Sequence, residues 1–95
     1  MGAYCYELTP NNDTVPCDEY TGAKQLRTDS IGTVRISTVF LGLNHQIDDD
    51  GPPLIFETMV FPSEDQWRFS TYDEAIHFHD QKVAELNAAP TNPEE

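Results

Sequence analysis

Two apolar runs decide the fold of this chain: Ile36-Ser37-Thr38-Val39-Phe40-Leu41-Gly42-Leu43-Asn44-His45 and Leu54-Ile55-Phe56-Glu57-Thr58-Met59-Val60-Phe61. A polar loop, Gln46–Pro53, separates them. Runs of β-branched and aromatic residues on either side of a polar loop are typical of a β-hairpin. Because Pro52 and Pro53 cannot donate ladder hydrogen bonds, we expect strand pairing to begin only after Pro53.

The alternating pattern predicts strands over Thr33–Leu43 and Leu54–Phe61, and a short third strand at Trp67–Ser70. The second half of the first strand is apolar on both faces, with Phe40 on one face and Val39 and Leu41 on the other. This is typical of a central strand covered on two sides or of a contact with another copy of the chain. Either the N-terminal arm covers this second apolar face, or a second copy of the chain does, which would make the protein a homo-oligomer.

Thr71 begins the one clear helix, because Glu74 follows three residues later and completes a capping box. The helix is predicted to continue to about Ala88. Its apolar stripe comprises Tyr72, Ala75, Ile76, His79, Val83 and Leu86. We expect this stripe to pack on the sheet. The predicted fold class is therefore α+β, an antiparallel sheet of three to four strands with one C-terminal helix packed on one face.

The chain divides into three segments. Residues 1–30 are an N-terminal arm, partly irregular, in which Ala3–Leu8 fits a short strand and residues 18–30 read as a loop. Residues 31–89 form the core of hairpin, short strand and helix. Residues 90–95 are an acidic tail.

Charge is the strongest compositional bias, because 17 acidic residues face 5 basic ones, for a net charge of −12 at pH 7. Such a surface repels phosphates, so direct contact with nucleic acid or with an anionic membrane is disfavoured. It is compatible with a protein partner that has a basic surface, with bound cations, or with solubility alone. Candidate partner-binding residues are the acidic side chains of predicted loops and of the helix start: Asp48, Asp49, Asp50, Glu64, Asp65, Asp73 and Glu74.

The chain shows neither of the two signals of export or membrane insertion. Met1–Leu8 lacks the basic segment and apolar run of a signal peptide, and no stretch reaches the apolar length of a membrane span. Because the chain has no export signal, we expect Cys5 and Cys17 to be reduced thiols rather than a disulfide. Without a CxxC motif, they do not predict a zinc site. We expect a cytoplasmic protein.

The histidines are the conventional candidates for metal binding. His45, at the end of the first strand, and His79, on the helix stripe, would form a site for a divalent metal together with an aspartate of residues 48–50. The alternative is a core histidine at 79 and a hydrogen-bonding histidine at 45. No catalytic residue is assigned, since the chain has no P-loop, GxGxxG, GxSxG or HExxH motif. Three interpretations of Glu57 stay open: it faces solvent, it pairs with Arg35 or Arg68, or it acts as a general base.

Three runs of the sequence resemble a family of short, uncharacterised bacteriophage and actinobacterial proteins: Ser37–His45 (STVFLGLNH), Pro53–Phe61 (PLIFETMVF) and Arg68–Ala75 (RFSTYDEA), closing on His79. The resemblance covers roughly residues 34–85, whereas residues 1–30 depart from the pattern. It implies a phage setting, hence the host cytoplasm, and places His45, Glu57, Arg68 and His79 in the shared pattern. It implies no activity.

The sequence therefore favours a non-enzymatic, acidic interaction protein over an enzyme, with no cofactor assigned. Its sharper form is a phage accessory protein that inhibits a host or defence enzyme acting on nucleic acid. One alternative is a small metal-binding domain or metal-dependent enzyme that uses His45, His79 and an aspartate of 48–50. Another is a minor structural component of a phage particle.

Overall fold

The computed structural model describes residues 5–44 and 52–88 of the chain. His45, the three aspartates at 48–50 and the acidic tail predicted at 90–95 lie outside these described residues. The elements are β1 (Cys5–Leu8), β2 (Thr14–Cys17), β3 (Lys24–Ile31), β4 (Val34–Phe40), β5 (Phe56–Phe61), β6 (Asp65–Phe69) and α1 (Tyr72–Ala88). Strands β3 to β6 form one antiparallel sheet in the order β3-β4-β5-β6, and β1 pairs with β2 in a second sheet of two strands. The predicted α+β class is confirmed.

The predicted hairpin is the centre of the sheet, because β4 pairs antiparallel with β5 and both have further neighbours. Thr38 lies opposite Thr58, and Phe40 lies opposite Phe56. These four side chains, on the face that bears α1, are almost fully buried. Pairing begins after Pro53, as the two prolines predict, since the backbone N–H of Leu41 donates to the carbonyl of Ile55 and the ladder continues from Phe56.

The sequence-based prediction of a loop over residues 18–30 is wrong, because Lys24–Ile31 form strand β3. Two of its half-buried positions are held by the polar residues Arg27 and Asp29, and the two apolar half-buried residues, Leu26 and Ile31, do not form an alternating pattern. The outward positions include Thr28 and Ser30. A strand with polar residues on both faces lacks the hydrophobic period that reveals strands in a sequence. Its structure comes from pairing with β4 along its length.

The capping box at the start of α1 is confirmed. The backbone N–H of Glu74 donates to Thr71 Oγ1 at 3.1 Å, and Glu74 Oε1 accepts from the N–H of Thr71 at 3.3 Å and from that of Ser70 at 3.2 Å. These bonds satisfy backbone donors that a helix otherwise leaves unpaired in its first turn. The helix therefore begins at the residue that the sequence predicts.

Helix α1 lies across one face of the sheet and contacts all four strands. Of the predicted stripe, Ala75 and His79 are fully buried, and the others are half-buried. Phe78 was not assigned to the stripe, yet its ring packs 4.8 Å from Trp67 and 5.2 Å from Phe69, measured between ring centroids. The helix thus contacts the sheet over a wider arc than its apolar pattern indicates. Among the described residues, no helix is long and apolar enough to cross a bilayer.

The N-terminal hairpin of β1 and β2 joins the end of the sheet just after β4. The backbone N–H of Tyr6 donates to the carbonyl of Gly42 at 2.8 Å, and Cys5 forms a bridge with Leu43. The Tyr6 ring belongs to the core cluster with Phe40 and other buried residues. One strand of the predicted arm is therefore an ordered part of the core.

Candidate functional site

The most buried polar group of the described residues is a chain of four side chains between α1 and the sheet. His79 is fully buried. Its Nε2 lies 2.8 Å from Asp29 Oδ2, and its Nδ1 lies 2.7 Å from Thr38 Oγ1. Thr38 Oγ1 is in turn 2.6 Å from Thr58 Oγ1. The chain therefore joins β3, β4, β5 and α1.

The sheet register explains how these side chains meet. Thr38 and Thr58 are direct cross-strand partners, so their side chains point to the same face. Asp29 lies opposite Ile36, two residues along β4 from Thr38, and therefore also points to this face. His79 lies on the stripe of α1 that covers it. The sequence points to His79 alone, because its partners are 50 and 41 residues away along the chain.

The direction of the hydrogen bonds follows from the partners. An ionised Asp29 carboxylate only accepts, so Nε2 of His79 carries a proton and donates to it. In the neutral ring, Nδ1 then accepts from the Thr38 hydroxyl. The Thr38 oxygen is left to accept from Thr58. Each buried group of this chain thus has a partner, which removes most of the cost of burying it.

A carboxylate, an imidazole and a hydroxyl in this order resemble the relay of a nucleophilic triad. Here, however, the hydroxyl end is the closed end, because Thr38 and Thr58 are both 0% exposed. Solvent reaches only the other end, where the Asp29 side chain is 45% exposed. A nucleophile must meet its substrate, and this hydroxyl does not. The arrangement instead holds the helix to three strands, and so His79 is the hydrogen-bonded core histidine that the sequence offers as an alternative.

A metal site at His79 would have to displace a present partner, because both ring nitrogens are within 2.8 Å of a protein oxygen. Within residues 5–44 and 52–88, no group of three or more His, Cys, Asp or Glu side chains is arranged to hold a metal ion. The other proposed ligands, His45 and an aspartate of 48–50, lie outside the described residues. The contacts of His79 are thus those of a structural residue.

The acidic residues predicted to bind a partner, where the structure describes them, fall into two groups at opposite ends of β6. Glu64 and Asp65 lie at the turn into this strand, and Asp73 and Glu74 follow its other end at the start of α1. The five residues of β6, which rise roughly 3.3 Å each, lie between the two groups. Glu74 is engaged in the capping box, so Asp73 is the free carboxylate of its group.

Asp73 also lines a groove that the sequence does not predict. The turn of the N-terminal hairpin packs beside the first residues of α1 and encloses a volume of about 270 Å³. Its lining residues are Asn11, Asn12, Asp13, Thr71, Tyr72 and Asp73. Asp13 and Asp73 thus contribute two carboxylates, next to the amides of Asn11 and Asn12. No local signal marks Asp13, since it reaches Asp73 only through the tertiary packing of the arm.

The sheet face opposite α1 has a different charge. Along the ladder this open face carries Arg35 and Arg68 but one acidic residue, Glu57. Arg68 Nε donates to Glu57 Oε2 at 3.1 Å, which confirms one of the pairings considered for Glu57. The Arg35 guanidinium lies 4.5 Å from the centroid of the Phe61 ring. This open face of the described sheet therefore carries more basic than acidic side chains, unlike the chain as a whole.

Comparison of the chain with protein-family models, with curated proteins and with solved structures yields no match.

Proposed function

We propose that this protein is a non-enzymatic interaction protein that binds a protein partner with a basic surface through its exposed carboxylates. The observation that carries the proposal is the groove at the start of α1. Asp13 and Asp73 come from distant parts of the chain to line it. Because the chain has a net charge of −12 and both residues are acidic, we expect a negative electrostatic potential in this groove.

The contacts of His79 support a non-enzymatic function. The hydroxyl end of its hydrogen-bond chain is fully buried, and both ring nitrogens have protein partners. The metal-binding or metal-dependent alternative, with His45, His79 and an aspartate of 48–50, gains no supporting contact from the described residues. The alternative of a minor phage structural component likewise has no observation in its favour.

The sharper form of the proposal is a phage accessory protein that acts in the host cytoplasm and inhibits a host or defence enzyme that handles nucleic acid. It rests on the resemblance that the three runs of residues 34–85 suggest to short phage proteins, and on exposed carboxylates at separate points of the structure. Such a surface would compete with nucleic acid for a basic groove. Glu64 and Asp65 would extend the contact beyond the Asp13–Asp73 groove.

The first test is capture of partners from host lysate by the tagged chain, with washes at low and high salt. A partner held by carboxylates should be lost as salt screens the attraction, because the Debye length falls to about 3 Å at 1 M. The captured partner, purified, should bind the full chain with an affinity that decreases steeply with salt. Binding that does not depend on salt would overturn the electrostatic proposal.

The second test separates the groove from net charge. Asp13→Asn with Asp73→Asn changes the charge by +2, and so does the control, Thr33→Lys with Gln81→Lys, at two exposed positions that belong neither to the groove nor to the Glu64–Asp65 pair. We expect the groove variant to weaken binding about tenfold at low salt, and the control by no more than about twofold, because close charge pairs contribute most. Equal losses would show that the partner senses only overall charge.

A further inference from the structure

The N-terminal hairpin brings together the two cysteines of the chain. Cys5 in β1 and Cys17 in β2 are direct partners in the antiparallel register. Their thiols are both free, and Cys5 Sγ donates to the backbone carbonyl of Cys17 at 3.1 Å. Directly opposed residues in such a ladder have Cα atoms about 4.5–5.5 Å apart, and their side chains share one face. A disulfide spans about 4.4–6.8 Å between Cα atoms.

We propose that Cys5 and Cys17 form a reversible intramolecular disulfide by exchange with a small-molecule disulfide, and that this bond locks the N-terminal hairpin. The proposal is independent of the proposed partner. The chain has no third cysteine to compete for either thiol. The backbone is already in register for the bond, so oxidation requires adjustment of side chains instead of refolding.

The two thiols have different roles in the exchange. Cys17 is half-buried and Cys5 is 6% exposed, so the external disulfide reaches Cys17 first. The Cys17 thiol loses its proton to water, and its thiolate attacks one sulfur of the reagent. The reagent's S–S bond breaks and releases one thiolate, which takes a proton. A mixed disulfide on Cys17 remains.

Cys5 resolves this intermediate. Its thiol loses a proton, and its sulfur attacks Cys17 Sγ. The mixed disulfide breaks and releases the second small thiol. Two protein thiols are thereby oxidised to one disulfide, and one small disulfide is reduced to two thiols. Cys5 is held for this step, because β1 is fixed on its other side by the bridge from Cys5 to Leu43.

The environment of Cys17 slows its reaction with a disulfide reagent at neutral pH. Partial burial and the neighbouring Cys5 thiol raise the pKa of Cys17 to about 11. Because the thiolate is the nucleophile, the attack is slow at neutral pH and faster as pH rises toward that value. Reduced thiols in a reducing compartment and a disulfide in an oxidising one are therefore both compatible with this hairpin.

The test uses the full folded chain with an excess of oxidised glutathione at pH 8, followed by acid quenching, alkylation of remaining thiols and intact-mass measurement. We expect a monomer that has lost two hydrogens and carries neither an alkyl group nor glutathione. Lys24 is the first basic residue, so trypsin leaves both cysteines on one fragment. Cleavage after Glu7 separates them, and the two fragments should stay joined until reduction.

Comparison with the chain unfolded in urea measures how strongly the fold favours the disulfide. The equilibrium constant for the internal disulfide, set against a glutathione buffer, should be at least about tenfold larger in the folded chain than in urea. With Cys5→Ser, a stable glutathione adduct should accumulate on Cys17, since nothing resolves it. Cys17→Ser should leave Cys5 largely unmodified because of its burial.

Several results would overturn the proposal. These are mixed glutathione adducts or disulfide-linked dimers as the main product of the wild-type chain, equal constants with and without urea, or no oxidation of the folded chain under conditions that oxidise the unfolded one. If a serine variant fails to fold, the comparison of the wild-type chain with and without urea still decides between these outcomes, because it needs no variant.

Discussion

The sheet with its helix, residues 24–44 and 52–88, and the N-terminal hairpin, residues 5–17, both contain antiparallel strands, but different interactions stabilise them. Four strands share a buried face under α1, and a polar chain of four side chains crosses that interface. The hairpin has two short strands, and its Val15 is 40% exposed. A hairpin of two strands is marginally stable alone. Its order depends on its attachment to the larger unit.

The attachment is local, and this difference has consequences for dynamics. Tyr6 inserts into the core and donates to Gly42, while the turn of the hairpin reaches the start of α1. We therefore expect the hairpin to open at lower free energy than the sheet, as peripheral units with few buried contacts do. The two parts that carry our proposals, the acidic groove and the cysteine pair, both involve this less stable unit.

The largest expected effect concerns the larger unit, the sheet with its helix. His79→Ala removes a fully buried ring and leaves the Thr38 hydroxyl without its imidazole partner. We expect the free energy of unfolding to fall by about 3 kcal/mol, from cavity formation and the lost hydrogen bonds. Urea denaturation measures it. His77→Ala, on the exposed side of the same helix, should cost no more than about 0.5 kcal/mol.

Thr38→Val separates the polar chain from packing volume. Valine has nearly the shape of threonine but cannot hydrogen-bond to His79 Nδ1 or to Thr58. We expect a loss of about 2 kcal/mol in the same denaturation experiment, because buried polar groups are left unpaired. Unchanged or greater stability would mean that the hydroxyls contribute nothing to holding the helix on the sheet.

The next effect concerns the junction between the N-terminal hairpin and the sheet. Gly42 has φ of 81°, and a Cβ atom there would lie 2.8 Å from Tyr20 Cε1 and 3.1 Å from the Gly22 carbonyl oxygen. Gly42→Ala should cost about 2 kcal/mol, from left-handed strain and the steric clash together. Hydrogen exchange at residues 5–17 should accelerate more than exchange in the sheet. Equal acceleration in both would show that the two units open together.

The matched control for this junction is Gly32→Ala. Gly32 also has a left-handed φ, 62°, but a Cβ atom there would have no neighbour within 4 Å. We expect it to cost about 1 kcal/mol from backbone strain alone. It should leave exchange in the hairpin unchanged relative to the sheet, because the β3–β4 turn does not touch the hairpin's attachment.

A smaller effect concerns the helix start that forms one wall of the groove. Thr71→Ala removes the acceptor for the N–H of Glu74 and should reduce stability by about 1 kcal/mol. Circular dichroism during urea unfolding measures it. The control is Thr33→Ala in the β3–β4 turn, for which we expect a change within about 0.5 kcal/mol. A difference indistinguishable from zero would mean that the cap is not needed once the helix is packed.

The smallest effect lies on the open sheet face. The Glu57 and Arg68 side chains are 14% and 35% exposed, so water screens their pairing in part. A double-mutant cycle with Glu57→Gln and Arg68→Gln should give a coupling of about 0.5 kcal/mol that decreases with added salt. A coupling of zero would show that the pair does not contribute to the stability of the fold.

The sequence predicts best where hydrophobic period and local hydrogen bonding agree. The β4–β5 hairpin follows from two apolar runs, and the capping box follows from Thr71 and Glu74. Sequence-based prediction fails at β3, where Arg27 and Asp29 occupy half-buried positions, and at Phe78, which lies off the apolar stripe. In both cases, contacts with distant residues decide what a local pattern does not encode.

The candidate site shows the same division. The sequence identifies Asp73 as an exposed carboxylate and His79 as a residue of the helix face that meets the sheet. It does not identify Asp13 as the partner of Asp73 in a groove, nor Asp29 as the partner of His79, 50 residues away. Spacing along a helix specifies a face, but it contains no information about which side chain of another strand arrives there.

By itself, the sequence determines the strong negative charge, the central hairpin and the helix with its first residue, because each depends on composition or on residues close together in the chain. Tertiary structure decides the polar strand β3, the partners of His79, the Asp13–Asp73 groove and the pairing of Cys5 with Cys17. The physical reason is that these features exist only after the chain has closed on itself, when strand register and helix packing bring distant side chains into contact.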